Sequence, residues 1–172
     1  MHSHRWVWLH HDDKVRETVE KLFKELEDQL ILKDYILSNN KIIRSNAILI
    51  ARILNSQSVI PTLLELLKAD LKDTELLTEV IVALGDLNAS ESISYLAEML
   101  PTDTESLKTA IIYSLGKLKA RQYINTIINS LKDTSIAVRC EAIGALGEFG
   151  IEEYIQHLEP FISDVTHVQR TI

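Results

Sequence analysis

The sequence predicts an all-α protein: a right-handed α-solenoid of about four helical hairpins behind an N-terminal capping helix. Three observations carry this. The 172 residues include only 5 Gly and 3 Pro, far below the roughly 12% that the two average together, so turns are few. Leu-Gly pairs return at Leu84-Gly85, Leu115-Gly116 and Leu146-Gly147, at a constant spacing of 31 residues. The segments around each pair place apolar residues three and four apart, which is helical spacing. Sandwiches and barrels need many turn residues, and disorder needs few apolar ones. Neither fits a chain that is 46% hydrophobic and 25% charged.

Residues 1–12 read as an N-terminal arm, flexible or docked. His2, His4, His10 and His11 lie close together beside Asp12 and Asp13. No helical i, i+4 pair of histidines and no cysteine is near them, so no metal site is assigned. Trp6 and Trp8 alternate with Val7 and Leu9 and suit an extended segment whose rings dock on the domain. Residues 13–40 read as a helical cap. Val15, Val19, Leu22, Phe23, Leu26 and Leu30 form an apolar stripe with charges opposite, and Asn39-Asn40 marks the break before the repeats.

The repeats fill residues 41–172. The register of the Leu-Gly pairs also aligns Ile93, Ile124 and Ile155, then Leu96, Ile127 and Leu158, then Leu100, Leu131 and Ile162. An offset of 33 residues brings in Ile60, Leu63 and Leu67 as an earlier copy. Copies thus span about 41–71, 72–103, 104–134 and 135–165, with a partial fifth at 166–172. Each holds two helical patterns. In the second copy the first helix runs through Val80, Ala83, Leu84 and Leu87, and the second through Ile93, Leu96, Ala97 and Leu100. The few residues between them force antiparallel neighbours. Ser90 is placed to cap the second helix, and Thr74, Thr104 and Ser135 stand where later first helices start. The repeated Gly permits either close packing or a left-handed helix end. The chain stops about one turn into the fifth copy, which implies either a fragment of a longer protein or a terminal segment that docks as a cap.

The sharpest stretch runs from Asp133 through Val138-Arg139 and Ala142 to Ala145-Leu146-Gly147. It resembles the HEAT repeat in the short form of the phycobilisome-lyase-like branch. There an Asp closes one repeat, Val-Arg opens the next first helix and Ala-Leu-Gly ends its packed face. Asp164, Val168 and Arg170 resemble a further start. Leu107-Lys108 departs from Val-Arg in the third copy, and the first copy has no Leu-Gly pair. The resemblance implies that the second helices line a concave face. The register then gives two outward rows, Thr62, Tyr95, Thr126 and His157, and Glu65, Glu98, Asn129 and Pro160. Mixed polar and aromatic rows suit recognition of a protein or peptide. Pro160, inside a helical pattern, is expected to kink it.

Charge and chemistry narrow the function. Residues 1–45 carry eight basic and eight acidic residues, so the net −7 belongs wholly to residues 46–172. An acidic body lacks the electrostatic attraction that dominates nucleic-acid binding and is repelled by anionic membranes. The single cysteine, Cys140, excludes an internal disulfide. The N-terminus has no apolar signal region and no stretch approaches a membrane span, so a cytoplasmic location is expected. Cys140 has Arg139 on one side, which favours a thiolate, and Glu141 on the other, which opposes it. His157 and His167 lack a nucleophile at a triad spacing. Glu152-Glu153, being adjacent, diverge on a helix. Gly116-Lys117 is followed by Leu118 rather than by the Ser or Thr of a phosphate loop. No catalytic, cofactor or metal residue is assigned. The leading expectation is a non-enzymatic protein-binding scaffold, with other domains of a longer parent protein among its partners. The resemblance adds a second, a lyase or lyase subunit for bilin chromophores. A DNA-repair role on HEAT-like repeats would need a basic groove, which the charge disfavours.

Overall fold

The computed structural model describes residues 32–69 and 72–150, together with Lys21. Among these there are eight α-helices and no strand. The N-terminal arm, most of the expected cap, the second helix of the fourth copy with His157 and Pro160, and the partial fifth copy lie outside the described residues. The chain divides into two compact units, Met1–Val59 and Ile60–Ile172. No helix among the described residues is long and apolar enough to cross a membrane.

In the first unit, α1 (Leu32–Ile36) packs on α2 (Lys41–Ile53). Asn40 caps α2: its side-chain oxygen accepts from the backbone N–H groups of Ile42 and Ile43, at 3.0 and 3.3 Å. These are donors that the helix itself leaves free. Leu32 and Ile36 from α1 and Ala47, Ile48 and Ala51 from α2 are buried. The alanines suit close helix approach. Arg44 donates to the carbonyl of Ser38, six residues back, at 3.3 Å. A short 3-10 turn, Gln57–Val59, closes the unit.

The second unit begins with α3 (Ile60–Lys68), the second helix of the first copy. Then follow α4 (Thr74–Asp86), α5 (Ile93–Met99), α6 (Glu105–Lys117), α7 (Ile124–Ser130) and α8 (Ile136–Glu148). The first helices α4, α6 and α8 stack directly, each on the next. Each second helix packs most closely on the first helix that follows it: α3 on α4, α5 on α6, α7 on α8. Val80, Ile81, Leu84, Leu87, Leu96, Ile111, Ile112, Leu115 and Ile127 are fully buried. Each such aliphatic side chain contributes about 1.5–3 kcal/mol by leaving water.

Close packing decides the role of the repeated glycine. Gly85 and Gly116 lie inside α4 and α6, with no left-handed backbone. A Cβ on Gly85 would stand 2.9 Å from both Cα and Cβ of Ser114 and 2.8 Å from its Oγ; one on Gly116 would stand 2.8 Å from Cα and Cβ of Ala145. Each glycine therefore receives a small residue of the next first helix. Gly147 has nothing within 4 Å among the described residues. Ser114 is fully buried, and its Oγ donates to the Ile81 carbonyl at 2.9 Å, which ties α6 to α4.

The left-handed residue falls three positions later. Asn55, Asn88, Lys119 and Gly150 have φ of 51°, 56°, 50° and 67°, one in each copy. The N–H of Ala89 reaches back to the Leu84 carbonyl, and that of Asn88 to Gly85; Ala120 and Lys119 repeat this with Leu115 and Gly116. This is the Schellman ending, which satisfies carbonyls that the last helical turn leaves free. Helix starts follow the sequence reading in part. Ser135 caps α8 through Val138 N–H at 3.3 Å, and Thr104 is the N-cap residue of α6 without a side-chain bond. Asp73, one residue before Thr74, caps α4 through Leu76 N–H at 3.1 Å. Ser90 does not cap α5. It opens a 3-10 turn, Ser90–Ser92, so the helix starts at Ile93, and Ser92 Oγ donates to the Ala89 carbonyl instead.

Candidate partner-binding groove

The second helices of the second and third copies, α5 and α7, flank an open groove of about 490 Å³. Its apolar lining is Ala97 of α5, Leu100 at the C-cap of that helix and Pro101 just after it. Pro101 has no N–H to continue the helix, and the chain turns at once, with Thr102 N–H on the Leu100 carbonyl at 2.8 Å. Thr102 and Asp103 of this loop and Thr126, Asn129 and Ser130 of α7 add polar lining. Ser130 Oγ is turned onto the Thr126 carbonyl, at 3.2 Å.

An ion pair is part of the lining. Lys108 Nζ stands 2.7 Å from Asp133 Oδ2, both side chains being half-buried. Asp133 Oδ1 accepts from Ser135 N–H at 2.9 Å. The Lys108 hydrogen bond, helped by that N–H, holds the Asp133 carboxyl below its ordinary range. Arg139 donates to the carbonyls of Asp133 and Thr134 at 2.9 and 3.1 Å. Lys108 and Arg139 occupy one register position in successive copies. The departure from Val-Arg in the third copy therefore keeps a cation that bonds to the same aspartate, Lys108 at its carboxylate and Arg139 at its backbone carbonyl. The Arg44–Ser38 bond has the same six-residue reach as Arg139–Asp133, which gives this register position a structural job at the loop before the helix.

The expected rows fare unevenly. Tyr95 is 39% exposed, with Lys68 Nζ 4.8 Å from its ring centroid, a cation–π distance. Thr126 is exposed, as are Glu65, Glu98 and Asn129 of the second row. Thr62 departs from the expectation: it is buried. It sits beside Leu63 and one turn before Leu66, at the edge of the stripe by which α3 packs, so that stripe is wider than the register implied. The groove brings together Thr126 and Asn129 but not Tyr95, Glu98, Thr62 or Glu65, and His157 lies outside the described residues. The loop residues Pro101, Thr102, Asp103 and Asp133 carry no helical period to mark them as site residues, and Lys108 lies on a first helix, α6, outside the rows of the second helices. The one available signal was Asp133, already placed as the repeat-closing residue.

Away from the groove, the first helices carry a ladder at one register position: Asp86, Lys117 and Glu148. Asp86 accepts from Tyr113 Oη at 2.6 Å, and Lys117 Nζ meets Glu148 at 2.7 Å. That hydrogen bond raises the Lys117 pKa and lowers that of Glu148. Cys140 is half-buried on α8. Among the described residues no three His, Cys, Asp or Glu side chains are grouped to hold a metal.

Paired helices stacked in register, with Gly85 and Gly116 each receiving the next copy's small residue, define an α-solenoid repeat protein. A family model described as HEAT repeats matches residues 30–116 and again 104–171, most of the chain. The chain belongs to the HEAT-repeat family. Comparison with curated proteins returns no match.

Proposed function

We propose that this chain is a non-enzymatic protein-binding module that takes a protein or peptide partner along its second helices. The observation that carries this is the α5–α7 groove, whose lining combines apolar Ala97, Leu100 and Pro101 with polar residues that include Thr126 and Asn129. A lining that mixes apolar and polar groups suits a ligand with side chains to bury and backbone to hydrogen-bond. HEAT repeats generally mediate protein–protein interaction, and the acidic body speaks against nucleic acid. Fold alone does not set function, so the groove itself has to be tested.

The test is a displayed library of random peptides selected on the purified protein. Binders are then assayed on Asn129→Trp, which fills the groove, and on Tyr95→Ala. The expected result is enrichment of peptides that lose at least about tenfold in affinity on Asn129→Trp, with the helical circular dichroism of that variant unchanged. No enrichment, or binders indifferent to Asn129→Trp, would overturn the proposal.

A further inference from the structure

We infer that the α5–α7 groove selects a basic, partly apolar peptide segment, with a Lys or Arg facing Asp103 and an aliphatic side chain on Leu100 and Pro101. This rests on the reading of that groove as a protein-binding surface and adds the chemistry of its occupant. Three charged side chains line the groove: Asp103, Lys108 and Asp133. Two of them satisfy each other. Lys108 is held by Asp133 at 2.7 Å, and the second Asp133 oxygen is occupied by Ser135 N–H. Asp103 is exposed and makes no ion pair or side-chain hydrogen bond among the described residues. The lining thus presents one uncompensated negative charge.

The surroundings carry the same sign. Glu98 follows the lining residue Ala97, and Glu65 holds the same register position on α3; both are exposed. Of the nearby cations, Lys68 is drawn over the Tyr95 ring, Arg139 is held by the carbonyls of Asp133 and Thr134, and Lys132 is not among the lining residues. Beyond them, residues 46–172 are net −7. Complementary charge steers encounter and penalises wrong partners. An acidic segment or a phosphate backbone meets repulsion here, whereas a basic segment finds a carboxylate in the groove lining. The apolar lining of Ala97, Leu100 and Pro101 requires that the segment be more than a run of charges.

The experiment uses three short fluorescein-labelled peptides that alternate Leu with Lys, with Gln or with Glu. Their anisotropy is titrated with the full chain at low and at moderate salt. The proteins are wild type, Asp103→Asn, Asp103→Lys and Glu91→Lys. The last makes the same charge change on an exposed turn residue that does not line the groove. Binding is expected only for the Leu–Lys peptide and weakens with salt. It is expected to fall at least about tenfold for Asp103→Lys, by an intermediate factor for Asp103→Asn and by less than about twofold for Glu91→Lys. Absence of binding by the Leu–Lys peptide overturns the inference. So does equal binding by the Leu–Gln peptide, or an equal loss from Glu91→Lys, which would reduce the effect to overall charge. None of these three results touches the protein-binding reading, which stands or falls on the library enrichment and its loss in Asn129→Trp.

Discussion

Replacing glycine by alanine inside a helix ordinarily stabilises it by about 1 kcal/mol. The stack reverses that sign at Gly85. An added methyl would stand 2.9 Å from Ser114 Cα, a backbone atom that cannot turn aside. Forcing α4 and α6 apart costs about 1–3 kcal/mol, as other overpacked cores do. The same movement stretches the buried bond from Ser114 Oγ to the Ile81 carbonyl, 2.9 Å at present, which contributes about 1 kcal/mol. Setting the gain in helix propensity against both losses leaves Gly85→Ala destabilised by about 1–3 kcal/mol. Gly147→Ala is the internal control: it has the same repeat position, a helical backbone and no neighbour within 4 Å among the described residues. It should gain from a few tenths to about 1 kcal/mol. Urea titration followed by helical circular dichroism measures both. A slope of about 2 kcal/mol per molar urea puts the Gly85→Ala midpoint roughly 0.5–1.5 M below wild type, with Gly147→Ala at or above wild type. Equal shifts of one sign in the two variants would refute the close-approach argument.

Three other outcomes are expected. Lys119 holds a left-handed backbone at φ 50°, which costs an L-residue about 1–2 kcal/mol; part of that returns as unfolded-chain entropy when glycine replaces it. Lys119→Gly should therefore raise the melting temperature by about 2 °C, and a fall would show that the strain is absent. The Lys108–Asp133 pair contributes about 0.5 kcal/mol, in the range of partly exposed ion pairs. Because Asp133 titrates below its ordinary 3.8, that contribution is complete above this value and lost as pH falls through the lowered one. Lys108→Met should thus be less stable than wild type near neutrality and converge with it in acid; a gap independent of pH would count against the pair. Burial raises the Glu141 carboxyl above its ordinary 4.5, against the opposing pull of Lys117. Its charge therefore destabilises the fold at neutral pH, and the penalty fades as pH falls. Glu141→Gln should be more stable than wild type at neutral pH, with the advantage gone below 4.5, as urea midpoints across that range would reveal.

The solenoid was legible because its signal is periodic. The Leu-Gly register located the helices that stack, and Asn40, Thr104 and Ser135 fell at helix starts. Ser90 was misread because a serine ahead of an apolar run looks alike whether the chain enters an α-helix or first makes a 3-10 turn. The left-handed position was hidden by its own variety. Asn55, Asn88, Lys119 and Gly150 share a register but not a side-chain type, and Lys has no preference for that backbone to betray it. The groove was half visible. Thr126 and Asn129 follow from the period of the second helices, but Pro101–Asp103 belong to a connection whose course depends on tertiary packing. Thr62 was placed outward by analogy with Tyr95 and Thr126, whereas the extent of a buried stripe depends on what lies against it.

The way second helices pack bears on how such a chain can be cut and joined. Since α5 rests most closely on α6 and α7 on α8, the natural brick is a second helix with the first helix that follows. Its seams lie at the 3-10 turns Ser90–Ser92 and Arg121–Tyr123, not between copies of the sequence repeat. A shortened or shuffled array joined at those turns keeps every remaining second helix with its closest neighbour. One joined at the sequence boundaries, after residues 103 or 134, parts α5 from α6 or α7 from α8 and exposes the apolar surface they share.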